Sequence, residues 1–200
     1  MTRAVRYNFA CSLDGFIATP SGSYTWIVDD KSIDFGGLYA QFKYFLMGRK
    51  THEAYRAMDP AENPLRRYYG TGRVIVVSDT LDKHIETETE VIRVGELVSV
   101  VKALKEKEGD DRDIWLMGGG RLAGLMLKLG LVDVVEAAVM PVVLGEGIKM
   151  FDVLGNGGKG EGWKFKLGGM ERKETGIMMV CYDVVRTDSL DEEGRGEEDK

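Results

Sequence analysis

Short apolar runs of strand length alternate with segments of helical spacing along most of this chain. The clearest apolar runs cover residues 5–11, 44–47, 74–77 and 114–117. Strands separated by helical segments need crossover connections, so they lie parallel with helices on both faces of the sheet. The alternation therefore predicts an α/β fold with a mostly parallel sheet, and ligands bind beyond the carboxyl ends of the strands in such sheets.

The remaining segments complete one predicted domain over residues 1–186. Helices are predicted over residues 29–42, 49–58, 96–108 and 122–129, and short strands over 91–94 and 134–140. The last two apolar runs, residues 163–170 and 177–185, are separated by a charged turn. They predict a C-terminal antiparallel hairpin, which makes the sheet mixed.

The negative charge is concentrated at the C-terminus. The chain carries a formal net charge of −6, and residues 187–200 contain seven acids and two bases. Such a segment without aromatic residues predicts an acidic disordered tail, for which partner recruitment is one open role. The remaining body is nearly neutral, which argues against nucleic acid as the main partner.

Several function classes find no support in the sequence. No apolar run reaches the length of a membrane span, and the N-terminus lacks a signal-peptide pattern, so no membrane partner is expected. Cys11 and Cys181 are interpreted as reduced thiols of a cytoplasmic protein. With only two histidines and no cysteine pair, no metal site is expected. Zinc-protease, P-loop and nucleophile-elbow motifs are absent.

Two glycine-containing loops after predicted strands favour anion binding. The first, residues 48–51, combines Gly48 and Thr51 with two cations at the start of a helix. The second, residues 118–121, places three glycines and Arg121 before another helix. Backbone N–H groups at a helix start attract phosphate, and glycines let a pyrophosphate approach closely. No acid for a ribose follows the second loop, so an ordinary Rossmann domain is not favoured.

Two further loops are open to a structural and a functional interpretation. Ser78 follows the strand VIVV, where its hydroxyl could cap a turn or bind a phosphate. Glu146 lies between Gly145 and Gly147 in a loop that follows a strand and Pro141. It could be a solvated acid or face the same cleft as the other loops.

Six segments carry a family resemblance when they are taken together and in order. They are S-L-D-G-F-I-A at 12–18, S-x-x-W-I at 23–27, G-R-K-T at 48–51, V-I-V-V-S at 74–78, M-G-G-G at 117–120 and P-V-V-L-G-E-G at 141–147. The chain resembles the riboflavin-biosynthesis reductases of the dihydrofolate reductase-like superfamily from residue 7 to about residue 185. The resemblance implies a three-layer dihydrofolate reductase-like fold, NADPH as cofactor and a ribosylaminopyrimidine phosphate as substrate.

The resemblance also implies roles for individual residues. Ala18 would lie beside the nicotinamide, and Ser78 near the adenosine 2′-phosphate. The remaining cofactor-binding residues would be Gly48, Arg49, Lys50, Thr51, Gly118, Gly119, Gly120, Arg121 and Leu122. Catalytic residues on the substrate side would be Asp14, Trp26 and Glu146. Relatives often form dimers, and the apolar edge of the last hairpin offers a surface for a homodimer.

Two alternatives remain open at this point. The chain could be a pterin or dihydrofolate reductase, although Asp29, Asp30 and Asp34 lie in no matching motif. It could also be a non-catalytic nucleotide-binding protein that retains the fold, because no single catalytic acid stands out. Binding of NADPH without turnover would identify the second alternative.

Overall fold

The strands of this protein form one large sheet and one short ribbon in a computed structural model that describes residues 2–82, 88–152 and 162–186. The strands are β1 (Val5–Cys11), β2 (Phe16–Ala18), β3 (Phe42–Gly48), β4 (Val74–Val77), β5 (Glu90–Ile92), β6 (Asp113–Gly118), β7 (Val134–Val139), β8 (Ile148–Lys149), β9 (Lys164–Arg172) and β10 (Met178–Val185). The large sheet has the order β5-β4-β3-β6-β1-β7-β10-β9. Pairs from β5 to β7 are parallel, whereas β10 is antiparallel to β7 and β9. The predicted mixed, mostly parallel sheet is confirmed.

Helices cover both faces of this sheet. They are α1 (Phe35–Ala40), α2 (Arg49–Arg56), α3 (Leu97–Glu106) and α4 (Gly120–Lys128). Alternate residues of β3 point to opposite faces. Leu46 joins the buried cluster that contains Val101 of α3 and Met126 of α4. Phe45 joins the second buried cluster, which contains Tyr39 of α1. None of the helices within the described residues is long and apolar enough to cross a membrane.

The helix predicted over residues 29–42 is wrong in length. The helix α1 covers only Phe35–Ala40, with Asp34 as its N-cap and two glycines in its first turn. The residues before it form a loop that is fixed by Asp30, whose carboxylate accepts bonds from the Ser32 N–H (2.9 Å) and the Thr175 hydroxyl (2.6 Å). These local and tertiary hydrogen bonds compete successfully with helix formation.

Other differences are small or lie outside the described residues. Strand β5 ends at Ile92, and the predicted strand residues beyond it enter a 3-10 turn that precedes α3. The two-residue strand β8 has no sequence signal, yet it pairs with β2. The predicted tail, residues 187–200, lies outside the described residues. The edge strand β9 exposes Leu167 and Met170, and the homodimer stays a prediction.

Gly120, the first residue of α4, packs directly against the end of β8 and the residues that follow it. A Cβ atom at Gly120 would lie 1.9 Å from the carbonyl oxygen of Lys149. The Asp152 N–H donates to the Gly120 carbonyl (3.0 Å), and the Tyr7 hydroxyl donates to the Met150 carbonyl (2.8 Å). The sequence suggests that the glycines of this loop let a ligand approach the backbone closely. At Gly120 the group that approaches closely is instead the protein's own backbone at Lys149.

This contact predicts that Gly120→Ala destabilises the fold. The added methyl group overlaps a backbone oxygen that cannot move without β8, so the free energy of unfolding falls by about 3 kcal/mol. Urea unfolding followed by circular dichroism measures the change.

Gly95→Ala serves as the control, because no atom lies within 4 Å of its added Cβ. Its free energy of unfolding stays within about 1 kcal/mol of the wild-type value. An equally small effect at Gly120 would contradict the packing described for this residue.

Candidate functional site

The segments that follow the parallel strands lie in a row along one edge of the sheet. Parallel strands end at the same edge, so the strand order fixes the order of these segments. From β5 to β7 the row consists of Arg93, Ser78–Thr80, Gly48–Thr51, Gly118–Leu122, residues 12–18 and residues 141–147. We call this row the edge row. Every cofactor-binding residue implied by the resemblance belongs to it.

Two helix N-termini meet at the centre of the edge row. Gly48 is the N-cap of α2 and Gly119 that of α4, and neither helix start receives a side-chain cap. The register of β3 against β6 pairs Met47 with Gly118. A Cβ at Gly119 would lie 3.9 Å from the Thr51 Oγ1, and one at Gly48 would lie 4.0 Å from the Gly118 oxygen. Two sets of uncapped N–H groups and two positive dipole ends therefore lie side by side.

The conformation around Gly118 depends on glycine. Gly118 has a φ of 101°, a region that residues with a Cβ rarely adopt, and the peptide bond to Gly119 is cis. Gly118 and Gly119 contribute no side chain at the junction of the two helix starts, and the Thr51 hydroxyl is the side-chain group beside Gly119.

Cations surround the two helix starts. Arg49 makes an ion pair with Glu53 at 3.2 Å, and both side chains are about half exposed. An exposed pair of this kind contributes little energy, so the guanidinium group can turn to an anionic ligand at small cost. Lys50 and Arg121 are exposed. The side chain of Leu122 is buried in the core, so only its backbone can serve a ligand.

Ser78 has a structural role in the turn after β4. Its Oγ accepts hydrogen bonds from the N–H groups of Thr80 (3.2 Å) and Leu81 (2.9 Å). Arg93 donates to the Ser78 carbonyl at 2.7 Å. The turn-capping interpretation of Ser78 is thus present in the structure, where the buried Ser78 hydroxyl also lies 3.4 Å from the Thr80 hydroxyl. Arg93 adds a cation beside it that sequence reasoning missed.

Ala18 reaches the edge row through the ribbon of β2 and β8, where it pairs with Ile148. A Cβ at Gly147 would lie 2.2 Å from the Ala18 carbonyl oxygen. Gly147 is therefore required by the close contact between the two loops. This contact fixes the position of Ala18 relative to residues 141–147.

Asp14 fastens the same two loops together. Its carboxylate accepts hydrogen bonds from the Ser12 hydroxyl (2.6 Å) and from the N–H groups of Leu144 (3.1 Å) and Gly145 (2.7 Å). The Ser12 bond, followed by the two backbone bonds, lowers the pKa of Asp14 below its ordinary value of 3.8. Asp14 is therefore ionised at neutral pH, which does not suit a proton donor.

The other two predicted catalytic residues, Trp26 and Glu146, share no hydrogen bond with Asp14 in the described residues. The indole Nε1 of Trp26 donates to the Ser23 carbonyl at 3.2 Å, and the ring is part-buried. Glu146 is exposed next to Gly145, whose N–H binds Asp14. No contact in the described residues joins Trp26 or Glu146 to Asp14.

A polar cluster on the sheet face below the edge row has no counterpart in the sequence motifs. The guanidinium of Arg6 binds Glu136 through two hydrogen bonds (2.6 and 3.1 Å), and the Asn8 amide donates to Glu136 at 3.0 Å. We call Arg6, Asn8 and Glu136 the polar floor. Burial lowers the pKa of Arg6, but Glu136 and Asp113 outweigh that effect and raise it. In the sequence Glu136 follows Arg6 by 130 residues and Asn8 by 128 residues, so no local pattern could have revealed the polar floor.

The polar floor shares its sheet face with α1 and α2. Val5 and Tyr7 belong to the cluster under α3 and α4, so Arg6 and Asn8 point to the opposite face. Arg6 lies over the Phe42 ring at 4.7 Å, and Phe42 belongs to the cluster that contains Tyr39 of α1. The helices α1 and α2 pack over β3 and β4, to one side of the floor.

No group of three or more His, Cys, Asp or Glu side chains within the described residues could hold a metal ion.

Comparisons with known proteins relate this fold and edge row to a family. The sequence profile of the RibD C-terminal domain matches residues 3–179. The chain is 31% identical to YyaP of Bacillus subtilis (strain 168) over 156 residues, which cover 74% of this chain and 80% of YyaP. It is 29% identical to the riboflavin biosynthesis protein RibD of Mycobacterium tuberculosis (strain H37Rv) over 164 residues, or 76% of this chain and 46% of that protein.

A solved structure extends the comparison to the fold of a second enzyme. Dihydrofolate reductase from Enterococcus faecalis, in complex with NADP(H) and RAB-propyl, superposes with a TM-score of 0.58 at 13% identity, over 93% of this chain and 100% of that chain. At this identity the likeness concerns the fold, and it confirms the predicted dihydrofolate reductase-like architecture. The profile match over residues 3–179, nearly the whole described chain, shows that this protein belongs to the RibD C-terminal domain family, a reductase family of the riboflavin pathway.

Proposed function

We propose that this protein is an NADPH-dependent reductase of a nitrogen heterocycle, of the ribosylaminopyrimidine phosphate type. The observation that carries the proposal is the pair of uncapped helix N-termini at Gly48 and Gly119, which suits the two phosphates of a dinucleotide. Family membership supports a reductase, and the M. tuberculosis relative is a riboflavin biosynthesis protein.

The residues of the edge row fit such a cofactor along its length. The N–H groups of Thr51 and Gly120 would bind the pyrophosphate, with Lys50 and Arg121 as neutralising cations. The β4 and β5 end of the row would hold the adenosine 2′-phosphate through Ser78 and Arg93. Neighbouring strands lie about 4.8 Å apart, so the row from β4 to β1 spans about 14 Å and requires an extended ligand. Bound NADPH would supply a hydride to the substrate.

The opposite end of the row would hold the nicotinamide and its reaction partner. Ala18 lies there in the loop that Asp14 fastens to residues 141–147. We assign Asp14 a positioning role, since its lowered pKa keeps it ionised and its oxygens are occupied by the two loops. Glu146, in the loop of residues 141–147, would flank this region, and the family resemblance implies the same for Trp26. An ordered loop would limit the access of water.

Removal of a cation at the start of α2 tests whether the site is built for the 2′-phosphate that distinguishes NADPH from NADH. Arg49→Ala is expected to weaken NADPH binding about tenfold, and NADH binding less than threefold. Gly48 pairs with Val77 in the register of β3 and β4, so Arg49 follows next to Ser78, where the 2′-phosphate would lie. Titrations that follow nicotinamide fluorescence measure both dissociation constants. This selective loss also places the 2′-phosphate near α2.

Lys128→Ala provides the matched control at the C-terminal end of α4. It should leave both dissociation constants unchanged. If the wild-type protein binds neither nucleotide, the proposed function fails. Equal weakening of NADPH and NADH would instead place the 2′-phosphate elsewhere in the edge row.

The clamp formed by Asp14 gives a separate prediction. Asp14→Ala removes the acceptor of the Leu144 and Gly145 N–H groups, so their amide hydrogen exchange should accelerate about tenfold or more. Because its pKa is lowered, Asp14 stabilises the clamp above pH 3.8, its ordinary value, and the stabilisation is lost as the pH falls below that value.

Hydrogen exchange measured by NMR between pH 6 and 7 tests the clamp, with Glu146→Gln as the control that leaves both exchange rates unchanged. Unaltered protection of Leu144 and Gly145 in Asp14→Ala would show that other contacts hold this loop.

A further inference from the structure

We infer that the polar floor recognises the substrate ring. Glu136 and Asn8 would accept hydrogen bonds from the N–H groups of the ring, and Arg6 would orient Glu136. This inference rests on the proposed reductase function and adds to it the chemistry of the ring that the enzyme selects. The ring is a nitrogen heterocycle with amino and ring N–H groups on one edge, and its phosphate points away from the floor.

The position of the floor suits a substrate that meets the nicotinamide at the edge row. Asn8 and Glu136 are paired in the register of β1 and β7, and the next pair on the same face is Ala10 with Ala138. Two methyl groups are thus the only side chains on these strands between the floor and the edge. Asn8 precedes Ser12 by four residues, a distance of about 13 Å along an extended strand. A planar ring placed on these two methyl groups would lie between the floor and the loop that carries Asp14.

The hydrogen-bond inventory of the floor leaves two acceptors, on Glu136 and Asn8, beside the second N–H of the Asn8 amide. A carboxylate offers about four lone-pair sites. Glu136 uses one on Oε1 for the Arg6 Nη2, and two on Oε2 for the Arg6 Nε and the Asn8 Nδ2. A further N–H can therefore bind Oε1. The Asn8 Oδ1 accepts no hydrogen bond from the described residues and can bind a second N–H.

The charge of the floor excludes an anion from this position. Among the floor residues and Asp113, Arg6 is the only cation, and its guanidinium bonds both Glu136 (2.6 Å) and Asp113 (3.3 Å). The two carboxylates against one guanidinium leave a net charge of −1. The side chains of Arg6 and Glu136 are 16% and 18% exposed, so solvent screens this charge only in part. A phosphate would be repelled, whereas a neutral ring with N–H donors would be attracted.

Arg6 acts through Glu136 in this scheme. The two parallel N–H···O bonds between Arg6 and Glu136 fix the plane of the carboxylate. The Gln41 side chain accepts another bond from Arg6 at 2.9 Å, which ties the guanidinium to the turn between α1 and β3. The carboxylate consequently presents its remaining lone pair in one direction, and the site is ordered before a ligand binds.

The test compares two uracils of similar shape in the presence of saturating NADP⁺. 6-Aminouracil offers an amino group and ring N–H groups, whereas 1,3-dimethyluracil lacks all of them. Ligand-observed NMR titration should show that the wild-type protein binds 6-aminouracil at least ten times more tightly. Glu136→Gln should reduce this preference about tenfold, and Asn8→Ala, which leaves the Arg6–Glu136 pair intact, about threefold.

The controls separate this inference from the proposed function. Both variants should bind NADPH within twofold of the wild-type protein, and Glu106→Gln at the exposed end of α3 should change neither measurement. A wild-type protein without preference between the uracils, or variants that keep the full preference while they bind NADPH, would overturn the role of the floor and leave the cofactor assignment intact. Failure of the wild-type protein to bind NADPH would instead overturn the proposed function.

Discussion

The parallel pairing of β3 with β6 is the constraint on which the proposed site depends. This register pairs Met47 with Gly118, so the chain leaves both strands at the same level of the sheet edge. Each strand runs directly into a helix through a glycine N-cap, and no side chain caps either helix. The unsatisfied N–H groups of two helices are therefore concentrated within a few ångströms, an arrangement that a bound anion would stabilise.

The strand order places further binding groups on either side of this junction of helix starts, so the edge row forms a linear site. Cations lie on the β4 and β5 side of the helix starts, and the loop fastened by Asp14 lies on the β1 and β7 side. Charge and hydrogen-bond character change along the row in the order that the proposed phosphorylated nicotinamide dinucleotide would require. The polar floor below the β1 and β7 end carries negative charge, so in the proposed reductase the anionic cofactor and the ring would be directed to different places.

Local signals in the sequence predicted much of this architecture. Apolar runs located the strands β1 and β4 to the residue. The motif at Gly48 located the start of α2, and α4 begins two residues before its predicted start. The shortened α1 depends on the bond of Asp30 to Thr175, a contact across 145 residues that periodicity cannot reveal. The same reason explains why Arg93 and Glu136 were missed, since each acquires its importance from a strand that is distant in sequence. Asp14 was found from its motif, but only the structure showed that its oxygens hold a loop.

The most direct test of this account is the response of backbone amides to NADPH. Amide NMR spectra of the uniformly ¹⁵N-labelled protein, recorded during a titration with NADPH, report which N–H groups the cofactor touches. We expect the largest shifts at Lys50 and Thr51 of α2 and at Gly120 and Arg121 of α4, with one common saturation curve. Saturable binding that shifts other amides and leaves both helix starts unchanged would contradict the central claim that their junction holds the cofactor.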